Sequence, residues 1–295
     1  MRSPNPQRGV TLIELIIVIV VLAIVAGTSL VFMQRTFAGY EQARQRILVA
    51  EQGRAALNRA KRELRLSLPN SARLSTVGST YYLEFAPVAA AGRYRAGSDT
   101  GADSSPACAA DSAEISDNSL LTIGSPDTCF KPLRPIDAGK IAIGDWLVVF
   151  NAGAGYSGAD YYESGAATGG NKAKLTSATD GGKLDFESAS FTWSSPGHRF
   201  YIAKSPVTYA CNPISGKLTR WAGYAPQAAQ PTVGVASLAG AVGADMAKGL
   251  VGCKISYAPA SIANQFGLIT IALDMGTASA DHFVLQTQAQ VANMP

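Results

Sequence analysis

The chain has 295 residues, 47% hydrophobic and 16% charged, with 29 Gly and 15 Pro; this excludes a disordered chain and suits a loop-rich, β-rich body. Residues 1–68 hold 10 Lys/Arg and 4 Asp/Glu, a net of +6, whereas the remainder carries a net of −2, so the net charge of the large body does not support generalised nucleic-acid binding, which needs a basic face. Two distant histidines, His198 and His282, and the lack of any Cys-x-x-Cys pair exclude the common zinc hydrolases, zinc knuckles and thioredoxin-like sites; no metal, cofactor or catalytic constellation is expected.

Residues 1–9 form a short basic leader, with Arg2 and Arg8 and no acid. Residues 10–32, from Val10 to Phe32, are apolar apart from Glu14 and a few small polar side chains. That length spans a bilayer as a helix, and arginine on the leading flank predicts a cytoplasmic N-terminus with an exported body. A cleaved secretory signal has no reason to keep an acid that costs about 3 kcal/mol at a helix centre. The small residues Val25-Ala26-Gly27 also fit a signal peptidase site only loosely.

The stretch Arg8-Gly9-Val10-Thr11-Leu12-Ile13-Glu14 resembles the class III leader of type IV pilins and of the pseudopilins of type II secretion. The resemblance implies cleavage by prepilin peptidase between Gly9 and Val10, then N-methylation of Val10. Most relatives carry Phe, Met or Leu at that position, so Val10 is a departure. The resemblance also implies that Glu14 pairs with the terminal amine of a neighbouring subunit during assembly. The physics agrees, because a cation in contact relieves the penalty of a carboxylate held in lipid.

Residues 33–68 continue the helical spacing with a different composition. Phe37, Tyr40, Ala43, Ile47, Ala50, Leu57, Ala60, Leu64 and Leu68 predict one apolar stripe on an amphipathic helix. Arginines occupy the other faces, and Pro69-Asn70 is the predicted stop. Continuous from Val10, such a helix is roughly 90 Å long, with Gly27, Gly39 and Gly53 as candidate soft points.

Residues 69–295 read as a β-rich exported body. Predicted strands are Tyr81–Phe85, Trp146–Phe150, Lys183–Phe186, Phe200–Ile202, Pro206–Tyr209, Lys217–Arg220, Leu268–Leu273 and Phe283–Leu285, with a hairpin turn at Asn212–Lys217. The Ala, Gly and Ser-rich segments Ala89–Ala113, Ala152–Gly182 and Ala222–Ala247 are predicted to be long surface loops. Cys108, Cys129, Cys211 and Cys253 all lie in this body. An even count in an oxidising compartment predicts two disulfides among three connectivities. Cys108–Cys129 with Cys211–Cys253 is favoured, because each bond then stays within one local region; buried free thiols are the alternative. Gly153-Ala154-Gly155-Tyr156-Ser157-Gly158 fits G-x-G-x-x-G, but no amphipathic helix pattern follows, so it reads as a glycine loop rather than a dinucleotide site. Asp99, Asp103 and Asp111 lack EF-hand spacing and read as solvated carboxylates.

Further stretches resemble the O-type minor pilins of the mannose-sensitive haemagglutinin (MSHA) pilus: Arg62–Arg65 with Leu68–Arg73, Gly144–Val149, Arg199–Ile202, Pro206–Cys211 and Leu285–Pro295. The resemblance implies an α+β, type IV pilin-like fold, a long N-terminal helix packed on an antiparallel β-sheet body with long loops. It implies a non-enzymatic subunit that helps initiate or cap pilus assembly, with no nucleic acid bound. Its implied partners are prepilin peptidase, other minor and major pilins, the inner-membrane assembly platform and, before assembly, the lipid bilayer. The alternatives are a J-type minor pseudopilin of type II secretion, and a pilus-tip adhesin or DNA-uptake subunit.

Overall fold

A computed structural model describes residues 9–95, 120–163, 170–177, 182–259, 266–276 and 282–292. One helix, α1 (Leu12–Arg65), is followed by fourteen strands in three antiparallel sheets among the described residues. By its internal contacts the chain divides into Met1–Leu48 and Val49–Pro295.

In the first unit, α1 is apolar all round over the stretch predicted to span a membrane, and its side chains are exposed on every face. The helix is long and apolar enough to cross a bilayer. Two threonine hydroxyls turn inward: Thr28 Oγ1 donates to the carbonyls of Ile24 and Val25, and Thr36 Oγ1 to that of Phe32 at 2.9 Å. Each thereby keeps a hydrogen bond without water. No break occurs at Gly27, Gly39 or Gly53.

In the second unit the helix buries Gly53, Ala56, Leu57, Ala60 and Leu64. The predicted stripe therefore holds from Leu57 onward, whereas Phe37, Tyr40 and Ile47 are exposed. Gly53 is a packing position and not a soft point: a Cβ there would lie 2.6 Å from Leu285 Cδ1. The helix ends at Arg65 rather than Leu68. Leu66 and Ser67 close tight i→i−3 bonds to Glu63 and Leu64, and then Leu68 N–H donates to Ala86 O at 2.7 Å while Val88 N–H donates to Leu66 O at 2.8 Å. Pairing with a neighbouring strand thus captures the backbone before Pro69 is reached. Asn70 takes a positive φ of 57° and completes the corner, a conformation asparagine tolerates.

The five-stranded sheet has the order β1 (Arg73–Val77), β2 (Thr80–Phe85), β9 (Val207–Asn212), β10 (Lys217–Ala222), β11 (Val242–Lys248). The six-stranded sheet runs β3 (Val88–Arg93), β8 (Arg199–Ala203), β5 (Trp146–Val149), β6 (Lys172–Ser177), β7 (Leu184–Ala189), β4 (Asp127–Phe130). Its residues all fall between β2 and β9, so it is an insertion into the first sheet. The third sheet is the meander β12 (Leu250–Ala258), β13 (Phe266–Gly276), β14 (His282–Ala292).

One core is formed by α1 with the five- and three-stranded sheets, where Leu57 and Leu64 meet Phe85, Tyr209, Ile271, Leu273 and Met275. Each fully buried leucine contributes about 2–3 kcal/mol. β13 shows the expected two-residue period, with Ile269, Ile271, Leu273 and Met275 inward. A second core fills the inserted sheet, where Phe130, Phe186, Phe191 and Phe200 make edge-to-face contacts.

The expected hairpin forms: Asn212 Oδ1 accepts from the amides of Ile214 and Ser215, and β9 pairs with β10 across the turn. The three predicted loop segments each contain a strand. β3, β6 and β11 are rich in Ala, Gly and Lys and lack the β-branched pattern, so pairing with neighbours decided their conformation. Thus Gly92 faces Phe200 and Gly243 faces Trp221 across their ladders, where each aromatic ring occupies the space a Cβ would need.

Candidate functional site

The segment Gly9–Glu14 joins an irregular backbone to a helix start. Gly9, Val10 and Thr11 precede the first helical residue. Val10 is 72% exposed, and a Cβ on Gly9 would meet nothing within 4 Å. The Gly9–Val10 bond is therefore accessible and outside the helical ladder, as a peptidase substrate must be. Thr11 caps the helix: its Oγ1 accepts from the Glu14 amide at 3.4 Å, and its carbonyl accepts from the Leu15 amide at 3.2 Å. Thr11-x-x-Glu14 has the capping-box spacing, a signal that the sequence carries within the apolar run and that composition alone does not show. Glu14 lies in the first turn of α1, where the helix dipole favours an anion. Its carboxylate has no partner among the described residues, so it is available to a cation from elsewhere.

The other sequence-selected stretches hold the corner where α1 gives way to the sheets. Glu63 accepts from Arg59 Nε at 2.9 Å, Arg220 Nε at 3.0 Å and Tyr209 OH at 3.0 Å. Burial pushes its carboxyl up, but the hydrogen bonds and charges of Arg59, Arg220 and Tyr209 outweigh this and hold it below the usual carboxylate range. Glu84, fully buried in β2, accepts from Arg73 Nε at 2.6 Å and Tyr224 OH at 2.9 Å. Here burial wins over both partners, and the carboxyl titrates above its ordinary value. The Arg73 guanidinium also reaches the carbonyls of Gln227 and Ala228 and lies 3.6 Å from the centre of the Tyr162 ring. It thereby ties the loop after β10 to this corner.

The glycine loop is fastened to the same corner. Asn151 Nδ2 donates to Pro69 O at 2.6 Å, its Oδ1 accepts from the Tyr161 amide, and Tyr162 OH donates to Ser71 O at 2.9 Å. Buried Lys172 donates to the carbonyls of Tyr161 and Glu163, and burial pulls its amine down to about 8. The loop joins two antiparallel neighbours, β5 and β6, whereas a dinucleotide fingerprint belongs to a parallel βαβ unit. No group of three His, Cys, Asp or Glu able to hold a metal occurs among the described residues; Asp99, Asp103 and Asp111 lie outside them.

Cys211 in β9 and Cys253 in β12 are bonded, with Cα atoms 6.5 Å apart, which links the five- and three-stranded sheets across the core. Of the other expected pair, Cys129 is disulfide-bonded and buried in β4, and Cys108 lies outside the described residues.

Residues 4–30 match the family described as Prokaryotic N-terminal methylation motif. No curated protein and no solved structure matches the chain. The matched segment includes the Gly9–Val10 bond and Glu14, and it supports a prepilin-type, class III signal. Together with one long apolar helix and an antiparallel β body, the motif supports a type IV pilin- or pseudopilin-like structural subunit, processed by prepilin peptidase and anchored in a membrane.

Proposed function

We propose that this protein is a minor pilin that helps initiate or cap a type IV pilus of the MSHA type. Prepilin peptidase cuts between Gly9 and Val10 and methylates the Val10 amine. Until assembly the protein sits once through the inner membrane, with its N-terminus cytoplasmic and its body periplasmic; it then moves into the pilus at the cell surface. The carrying observation is the matched motif at residues 4–30, which runs into a capped helix whose first turn presents Glu14, unpaired among the described residues. The new terminal cation of one subunit and Glu14 of its neighbour neutralise each other within the apolar filament core. Contacts are made there with other minor and major pilins after extraction by the assembly platform.

Intact mass of the membrane-extracted protein tests the processing: the chain lacks its first nine residues and carries one added methyl. A start well beyond Glu14 rejects the reading. Glu14→Ala leaves that mass signature intact but removes the subunit from sheared pili; normal recovery of the variant refutes the assigned role of the acid.

A further inference from the structure

The six-stranded sheet ends on β3, which has a partner strand, β8, on one side only among the described residues. The other side is pinned at both ends, by Val88 N–H to Leu66 O at 2.8 Å and by Leu133 N–H to Arg93 O at 2.9 Å. Between these pins the ladder dictates where each backbone group points. Tyr94 N–H donates to His198 O on the β8 side, so Gly92 also faces β8, whereas Ala91 and Arg93 face the open side. The amide and carbonyl of Ala91 and the amide of Arg93 have no hydrogen-bond partner among the described residues.

A groove of about 700 Å³ runs along this edge, between Ala89–Arg93 and a wall formed by residues 133–137 with Lys140. Small side chains leave the β3 backbone within reach. Arg93 and Arg134 in the groove have no ion-pair partner among the described residues. Lys140 is 3.4 Å from Asp137, whose carboxylate also caps the following turn through Gly139 N–H. Arg93 stands directly across from Arg199 in the ladder, an unfavourable like-charge pair that an anion between them relieves. The groove thus combines an incomplete ladder with surplus positive charge.

We propose that this edge is a docking site for an extended, acidic segment of another protein chain, which adds as a strand beside β3. Its main chain completes the hydrogen bonds of Ala91 and Arg93, and its carboxylates meet Arg93, Arg134 and Lys140. The charge of the groove selects the occupant: a basic or neutral strand satisfies the ladder and leaves the arginines unpaired. This inference is independent of N-terminal processing and stands or falls separately from it.

The test uses the full chain in detergent and a fluorescent decapeptide of alternating valine and glutamate, with alternating valine and lysine as the control. The acidic peptide binds, and raising the salt weakens it. Hydrogen exchange at the Ala91 and Arg93 amides slows at least about tenfold on binding. Ala91→Pro leaves the β8 ladder intact, because the amide it removes faces outward, and weakens binding at least about tenfold. Arg93→Glu with Arg134→Glu weakens it by a similar factor without touching the backbone. Absence of binding, equal binding of the lysine peptide, or full affinity in the arginine double variant overturns the proposal. So does protection of both amides in the free chain, or complete displacement by inorganic phosphate.

Discussion

Glu63, half-buried, and Glu84, fully buried, both lie beside an arginine, yet their shifts differ in sign. Glu63 has two arginines and a tyrosine hydroxyl, and its charged form is favoured in the folded protein. Its contribution is present above the unfolded pKa and is lost as pH falls through the lower folded value. Glu84 has one arginine in a drier site, so its folded pKa is raised; its contribution is present below the unfolded pKa and lost as pH rises through the folded one. Glu63→Gln is therefore expected to cost about 2–3 kcal/mol at pH 7 and less near pH 3, below the unfolded value. Urea melts of both proteins at the two pH values check this, and an equal loss at both contradicts the assignment.

The elements depend on cross-links between layers. The Cys211–Cys253 bond closes a segment of 42 residues, a loop whose closure entropy is worth about 4 kcal/mol. Replacing both cysteines by alanine is expected to lower unfolding stability by roughly that amount, measured with Cys129 kept oxidised. A change below about 1 kcal/mol shows that the two sheets are held by the apolar core alone. Helix α1 offers a parallel case at Gly53, where Leu285 and Met275 lie within 3.5 Å of the place a Cβ would occupy. The close approach lets the helix backbone settle onto β13 and β14, which explains a glycine in the middle of a helix despite its poor propensity.

For the whole molecule, the division at Leu48/Val49 separates a stretch with no buried side chain among its described residues from one whose core needs the helix. Residues 49–295 are expected to form a soluble domain that unfolds cooperatively when produced in an oxidising compartment. A version starting at Leu66 loses Ala56, Leu57, Ala60 and Leu64 from the core and is expected to aggregate. Circular dichroism melts of the two distinguish them, and a cooperative transition in the shorter one refutes the helix's structural role. The apolar stretch then serves membrane anchoring, and the later turns serve folding.

Local patterns in the amino-acid sequence determined the N-terminal methylation motif, the long helix and those strands with dense aromatic or β-branched residues. Each of these depends on neighbours a few positions away, where periodicity and side-chain chemistry act directly. Only the tertiary structure decided that β3, β6 and β11 are strands, that the six-stranded sheet is inserted between β2 and β9, and that the helix stops at Arg65. It also decided which carboxylate is stabilised, since Glu63 and Glu84 differ through burial and through partners up to 157 residues away. The reason is physical: alanine, glycine and lysine have weak intrinsic preferences, so distant backbone pairing and burial settle what they become.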